Sequence, residues 1–414
     1  MNLYSHQIAA ISWLKDKPKA MLIIATGLGK TIITIKTFKS KDNILIVVPN
    51  SLKLNWKIEI EKWCDFKPNI TVIKKRGDSF IKGINIINYD ILGKRVNKKI
   101  TPSFKFKGFD LVVFDECQMI KNTKAIRSKI SGKIIKNTPK ALLLSATPME
   151  RPIELYVPLY SLGIIKMNYH DFGMKFCDGK KIYLGRKEVW DYRGRSNLDE
   201  LLKIMEPQSL IMKKDILDLP PVSIKVISVD LPISKQEKEY NLQDIEKDER
   251  AIGFEGLSSL IKEQALLKLP MAIEHIKMRL ETENKILLFC KHHEVIDILM
   301  EKLKSFSPVK LDGRDNIEER QHSVEMFQND KDTRIFIGQI QASGVGLTLT
   351  ASRFCIFVEA DWSFNSILQG LSRIDRIGQT KNVYVELLTV HKSIDEYMLR
   401  KTLEKKETIE ELGL

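Results

Sequence analysis

The sequence predicts an α/β protein of two lobes, each a largely parallel sheet covered by helices. Three observations predict it. Short, almost unbroken apolar runs recur along the chain, stretches with helical spacing separate them, and the alternation pauses once in a Gly- and charge-rich middle before resuming. Such runs are strands buried on both faces of a parallel sheet, because a half-exposed strand would alternate apolar with polar residues.

The first series is AMLIIAT (20–26), ILIVVP (44–49), INIINY (84–89), LVVFDE (111–116) and ALLLSAT (141–147), with helical patterns over LKLNWKIEIEKW (52–63) and AIRSKISGKII (125–135). Residues 148–222 show no comparable run and end in LDLPPVS, whose paired prolines restrict the backbone and mark a hinge. They are read as an insertion and linker, which makes 1–222 the first lobe and 223–414 the second. Residues 232–282 read as mostly helical, a small insertion on the second lobe. The second series of strands is ILLFC (286–290), VKLDG (309–313), RIFIGQ (334–339), CIFVEA (355–360) and VYVELLTV (383–390). Helices are expected between them over 293–306, 316–328 and 364–378, and the tail from 393 is expected to be a helix packing back on the body.

Composition narrows the partners. The chain has 414 residues, a net charge of +14 and 43% hydrophobic residues. No run of about 18 apolar residues is present, so no membrane span is expected. The five cysteines form no CxxC pair, which argues against a disulfide framework or zinc ribbon and for a reducing cytosol. The seven histidines form no metal-spaced cluster. The basic excess fits either a lysine-rich solvated surface or a polyanion partner, and charge alone does not decide between them.

Chemistry-bearing residues lie at strand ends. In IIATGLGKTI (23–32) a Gly-containing loop follows a strand and opens a helix. There Thr26, Gly27, Leu28 and Gly29 can cradle phosphates, Lys30 can reach the β and γ oxygens, and Thr31 can hold Mg²⁺. Ile24 stands where the phosphate-loop pattern has its first glycine. LVVFDECQ puts Asp115 and Glu116 at the carboxyl end of a strand, where open parallel sheets bind ligands. Asp115 suits Mg²⁺ held through water, and Glu116 suits orienting or deprotonating an attacking water. In LSRIDRIGQ (371–379), Arg373 and Arg376 share one face of the expected helix. A guanidinium delivered there would stabilise the charge that develops on a transferring phosphoryl group.

The order of motifs resembles the superfamily 2 helicase-like ATPases of the SWI/SNF type, which have two RecA-like lobes with the nucleotide cleft between them. The matching segments are HQIAAISWL, GLGKT, VVPNSLKLNW, INYDIL, DECQMIKN, LLLSATP, LDGRDNIEER, SGVGLTLTAS, ADW and QGLSRIDRIGQ. SATPMERPIELY, FCDGKK and WDYRGRSNLDELL resemble the SMARCA-like, or HARP-type, annealing helicases most. The resemblance implies an adenine-reading role for Gln7, a paired-acid role for Asp115 and Glu116, and arginine fingers at Arg373 and Arg376. Gly346 and Gln369 complete the nucleotide set, and Ser145, Ala146 and Thr147 match the motif that links nucleotide state to lobe position. Asn55, Trp56, Lys121, Asn122, Gly344 and Trp362 fall in motifs that line the nucleic-acid track, with core packing an equal alternative for the two tryptophans. The chain departs from the family at Gln118 and Asp375, each where histidine is usual, at Ile24, where an acid is usual, and in SATP for SGTP.

The resemblance implies a monomeric ATP- and Mg²⁺-dependent translocase on double-stranded or forked DNA that remodels DNA structures or protein–DNA complexes. Two alternatives remain: a strand-separating or annealing helicase on DNA or RNA, and an ATP-gated DNA-binding subunit of a larger assembly. The expected location is the cytoplasm of a prokaryotic cell or virus-infected host, or the nucleus if the source is eukaryotic.

Overall fold

The computed structural model describes residues 3–146, 149, 151–184, 187–217, 219–229, 253–340, 347–359, 364–376, 378–391, 393, 395–400 and 402. The chain divides into two compact units after Leu217, just ahead of the proline pair Pro220 and Pro221.

In the first unit the order is α1 (Ser5–Leu14), β1 (Lys19–Ile24), α2 (Lys30–Ile35), β2 (Ile44–Val48), α3 (Lys53–Trp63), β3 (Ile70–Val72), β4 (Ile84–Asn88), β5 (Gly93–Val96), β6 (Lys99–Pro102), β7 (Leu111–Asp115), α4 (Ile126–Asn137) and β8 (Lys140–Ser145). It continues with α5 (Tyr156–Leu162), α6 (Tyr169–Phe176), β9 (Lys180–Leu184), β10 (Lys187–Asp191), α7 (Leu198–Met205) and β11 (Ser209–Met212). Seven strands form one parallel sheet in the order β11-β1-β8-β7-β2-β4-β3. The five apolar runs of the first series are its centre, and every residue of β2, β4 and β7 is buried. Met21, Ile23, Leu45, Val47, Val112, Phe114, Ala141 and Leu143 feed one core, alternate residues of each strand taking the same face.

The second unit contains β12 (Val222–Val229), α8 (Gly253–Thr282), β13 (Ile286–Cys290), α9 (His293–Lys302), β14 (Val309–Leu311), α10 (Ile317–Asn329), β15 (Ile335–Gln339), β16 (Phe354–Phe357), α11 (Phe364–Leu371) and β17 (Val383–Val390). Its six strands are also parallel, in the order β12-β17-β16-β13-β15-β14. Ile286, Leu288 and Cys290 point into one core with α8 and α9, while Leu287 and Phe289 point into the other with Phe327, Ile367 and Leu371. That two-sided burial is why β13 reads as an unbroken apolar run.

Several elements differ from the expectation. β11 and β12 lie within or just beyond the segment read as insertion and linker, yet each adds an edge strand to one of the sheets. Two antiparallel hairpins, β5 with β6 and β9 with β10, carry no apolar run. The helix expected over 364–378 ends at Leu371. Residues 395–400 are helical, and 403–414 lie outside the described residues. No helix among the described residues is long and apolar enough to cross a membrane. All five cysteines are free.

Candidate active site

The loop after β1 is shaped by two glycines in left-handed geometry, Gly27 at φ 89° and Gly29 at φ 90°. A Cβ at Gly29 would also fall 2.4 Å from the Gln7 amide nitrogen and 2.8 Å from Ile32 Cγ2, so both would have to move. Between the glycines Leu28 is fully buried, and its carbonyl accepts from Gln7 Nε2 at 3.2 Å and bonds His6 Nε2 at 3.0 Å. Gln7 Oε1 in turn accepts from the Tyr4 backbone N–H. Gln7, expected to read adenine, therefore has its amide nitrogen on the loop and its amide oxygen on the cap of α1. Thr26 and Thr31 are half-buried beside it. Lys30 opens α2 and donates from Nζ to the Ile24 carbonyl at 2.8 Å, so the ammonium rests over the end of β1.

Strand register sets the rest. Ile23 of β1 pairs with Ser145 of β8, and Leu144 pairs with Asp115 of β7. The loop, Ser145 and the acid pair therefore occupy adjacent carboxyl ends of one sheet. Asp115 is buried; its carboxylate accepts from Trp56 Nε1 at 2.8 Å and from the Glu116 backbone N–H at 3.0 Å, while Tyr89 donates to its carbonyl at 2.7 Å. Burial, and then the neighbouring Glu116 charge, push Asp115 up to about 6, and the Trp56 hydrogen bond and Lys30 draw it partly back. Glu116 has φ 53°, a left-handed backbone costly for a residue with a Cβ. Gln118 joins the acid to the neighbouring strand: Nε2 donates to Glu116 Oε2, and Oε1 accepts from the Ser145 hydroxyl at 2.8 Å. The departure from histidine thus keeps a bridging group, since an amide donates and accepts at once.

A buried carboxylate with its proton affinity raised by an adjacent acid is a site that a divalent cation would relieve. Thr31 and Asp115 are the residues that would hold Mg²⁺, with Lys30 on the phosphates; bound there, the ion would neutralise charge on the phosphate oxygens. Among the described residues no group of three or more His, Cys, Asp or Glu forms a metal site by itself.

Trp56 needs correction. Expected on the nucleic-acid track or in the core, it is fully buried and spends its indole N–H on Asp115, so it positions the acid and cannot touch DNA. The signal was available: Leu52, Trp56 and Ile60 repeat every four residues, and all three are buried. Asn55, by contrast, is half-buried, and Lys121 and Asn122 are exposed. Lys121 pairs with Glu154 at 2.9 Å, and Asn122 caps the Lys124 N–H. Gly344, Gly346, Trp362 and Thr147 lie outside the described residues. Sequence reasoning did not single out His6 or Tyr89, whose partners are backbone carbonyls that spacing does not reveal.

In the second unit Arg373 and Arg376 stand on the turn after α11, not on a shared helix face. Gly370, one residue before the end of α11, packs where a Cβ would meet Phe289 and Phe357 within 2.9 Å. Beyond it the backbone closes 3→0 and 4→0 turns, with Arg373 N–H on Gly370 O and Asp375 N–H on Leu371 O. Gln379 Nε2 donates to the Ser352 carbonyl at 2.9 Å and its Oε1 accepts from Thr380 and Lys381, fixing the exit. Arg373 is buried and its carbonyl accepts from Leu349 N–H, while Arg376 donates to the Leu347 carbonyl at 2.8 Å. Gln369, half-buried on α11, accepts from the Ser372 hydroxyl through its carbonyl.

The opposite edge strand, β14, leads into Asp312. This buried carboxylate takes hydrogen bonds from the Arg314 side chain and backbone and from Lys310. Burial pushes it up, but those donors more than offset burial and hold it well below the usual carboxylate range.

A glycine loop and an acid pair on adjacent carboxyl ends of a parallel sheet place the first unit among the phosphate-loop α/β proteins. The SNF2-related domain family matches residues 6–281, and the helicase conserved C-terminal domain matches 264–378. The chain belongs to the SNF2-related family. It is 31% identical over 410 residues to the SWI/SNF-related matrix-associated actin-dependent regulator of chromatin subfamily A-like protein 1 of Xenopus tropicalis, covering 94% of this chain and 42% of that protein. It is 32% identical over 409 residues to the DNA annealing helicase and endonuclease ZRANB3 of Homo sapiens, covering 93% of this chain and 38% of that one. The chain thus spans less than half the length of these relatives. A solved Sulfolobus solfataricus SWI2/SNF2 ATPase core in complex with dsDNA aligns over 100% of this chain and 96% of that one at 21% identity and a TM-score of 0.43.

Proposed function

We propose that this chain is a DNA-dependent ATPase that moves along double-stranded or forked DNA and remodels DNA structures or protein–DNA complexes. The observation that carries it is the strand register that sets Lys30, Ser145 and the Asp115–Glu116 pair on neighbouring strand ends. Lys30 and Thr31 take the phosphates and Mg²⁺, Glu116 orients the attacking water, and Gln118 reports its position to Ser145. Arg373 and Arg376 are the candidate guanidiniums for the charge that develops on the transferring phosphoryl group. A charge of +14 favours the phosphate backbone, which a motor that tolerates every sequence must grip without reading bases. Family membership and the curated relatives support this reading over a gated binding subunit that hydrolyses little.

The test is ATP hydrolysis without nucleic acid and with duplex, forked and single-stranded DNA and RNA, beside Lys30→Ala and Arg376→Ala. Stimulation by duplex or forked DNA that both variants lose is the expected result. Stimulation by single strands or RNA only would favour a helicase, and tight DNA binding without turnover would leave a gated binder.

A further inference from the structure

The hairpin of β9 and β10 plays no part in the site above. It pairs Lys181 with Trp190 and Tyr183 with Glu188. Opposed residues, and residues two apart along a strand, share a face, so these four lie together. Tyr183 is 74% exposed and Trp190 42%, although rings of this size normally find cover. Trp190 is nevertheless held in place. Its ring lies 2° from parallel with Tyr192 at 6.3 Å, and His170 of α6 meets it edge-on at 4.7 Å. Tyr192 in turn bonds His170 Nδ1 through its hydroxyl and lies so close to Gly173 that a Cβ there would fall 2.3 Å from the ring. Lys181 Nζ sits 5.6 Å from the Trp190 ring centre and pairs with Glu188 at 3.1 Å, an exposed ion pair that a phosphate could replace at small cost. Residues 175–195 contain seven basic and three acidic side chains.

Two exposed rings, one of them held in place beside a lysine, fit one ligand chemistry best. The charge selects a polyanion over an apolar protein surface. Within a paired duplex the base faces are covered, so phosphates alone would be offered and the rings would have no use. Unpaired bases present both a face and a phosphate. We propose that the β9–β10 hairpin is a stacking platform for unpaired nucleotides, with Tyr183 and Trp190 taking base faces and Lys181 an adjoining phosphate. The proposal rests on nucleic acid being the partner, as above, and adds that the chain senses single-stranded character at a fork or gap.

The test uses the full chain. Titration with a ten-residue oligothymidylate is expected to quench tryptophan emission, and Trp190→Phe should abolish that quench while retaining affinity within about threefold, because phenylalanine still stacks. The double variant Tyr183→Ala/Trp190→Ala should bind a fork with single-stranded arms at least about tenfold more weakly, as loss of two stacked bases implies. Its affinity for blunt duplex and its duplex-stimulated hydrolysis should not change. Equal losses on fork and blunt duplex, or no loss on either, would overturn the platform. A wild-type chain that ignores blunt duplex but is quenched through Trp190 by the oligonucleotide would instead overturn the translocase reading and leave the platform standing.

Discussion

Asp115 ends β7 in the first sheet, and Asp312 follows β14 in the second; both are buried, and both lie at the carboxyl edge of a parallel sheet. Their electrostatic conditions are opposite. Asp312 is surrounded by donors from Arg314 and Lys310 that hold it ionised, whereas Asp115 faces a second acid and is pushed up to about 6. The first is part of the architecture, its charge neutralised within the fold. The second keeps a surplus of negative charge that Lys30 offsets only in part, and such surplus marks the reactive edge.

The largest effect that would sharpen this contrast is on catalysis. Lys30→Ala should lower DNA-stimulated ATP turnover by about 100-fold or more, since a charge aimed at developing negative charge is worth that much. A steady-state rate within a few-fold of wild type would detach the loop from the chemistry.

The two aspartates should then respond oppositely to the same change, measured by urea unfolding at pH 7 without Mg²⁺. Asp312→Asn should cost about 3 kcal/mol, as breaking a buried ion pair does. Asp115→Asn loses an acceptor for one of its two donors, at about 1 kcal/mol. It also removes a charge whose raised pKa makes the folded state bind the proton more tightly, so stability falls as pH rises from about 4 through 6. At pH 7 the net should lie between neutral and about 2 kcal/mol of stabilisation, with turnover lost. Equal destabilisation by the two changes would erase the contrast.

A finer test uses Trp56. Its indole favours the ionised form of Asp115, so Trp56→Phe should raise that pKa and move the acid limb of the ATPase pH profile upward. An unmoved limb with intact folding would mean that Trp56 only fills space. The smallest expected effect is at Gln118: Gln118→His should keep turnover within about threefold, because imidazole also donates and accepts, while Gln118→Leu should lower it by roughly tenfold through loss of both bonds. Comparable rates for the two variants would show that the bridge to Ser145 is idle.

The legible parts of the fold were those buried on both sides. The runs at β1, β2, β4, β7, β8, β13 and β17 have no polar face, so their sequence states their position. β12 is an edge strand whose Val222, Ile224 and Val226 are exposed, and SIKVISV mixes signals that a run-based reading passes over. The loop, the acid pair and the arginines were found because their chemistry is local in sequence. What they touch was not: the Trp56–Asp115 bond spans 59 residues, and Gly370 packs on Phe289 from far away in sequence.

The pairing of β12 with β17 gives the second unit an awkward order of construction. The first strand of its sheet to be made must wait for the last, roughly 160 residues later, which at ribosomal speeds of about 5–20 residues per second is some ten to thirty seconds. During that interval a strand with alternating exposed valine and isoleucine has no neighbour and is a template for pairing with other nascent chains. Any fragment cut before residue 383 keeps that hazard permanently, so a shortened second unit should be expressed without β12 rather than without β17.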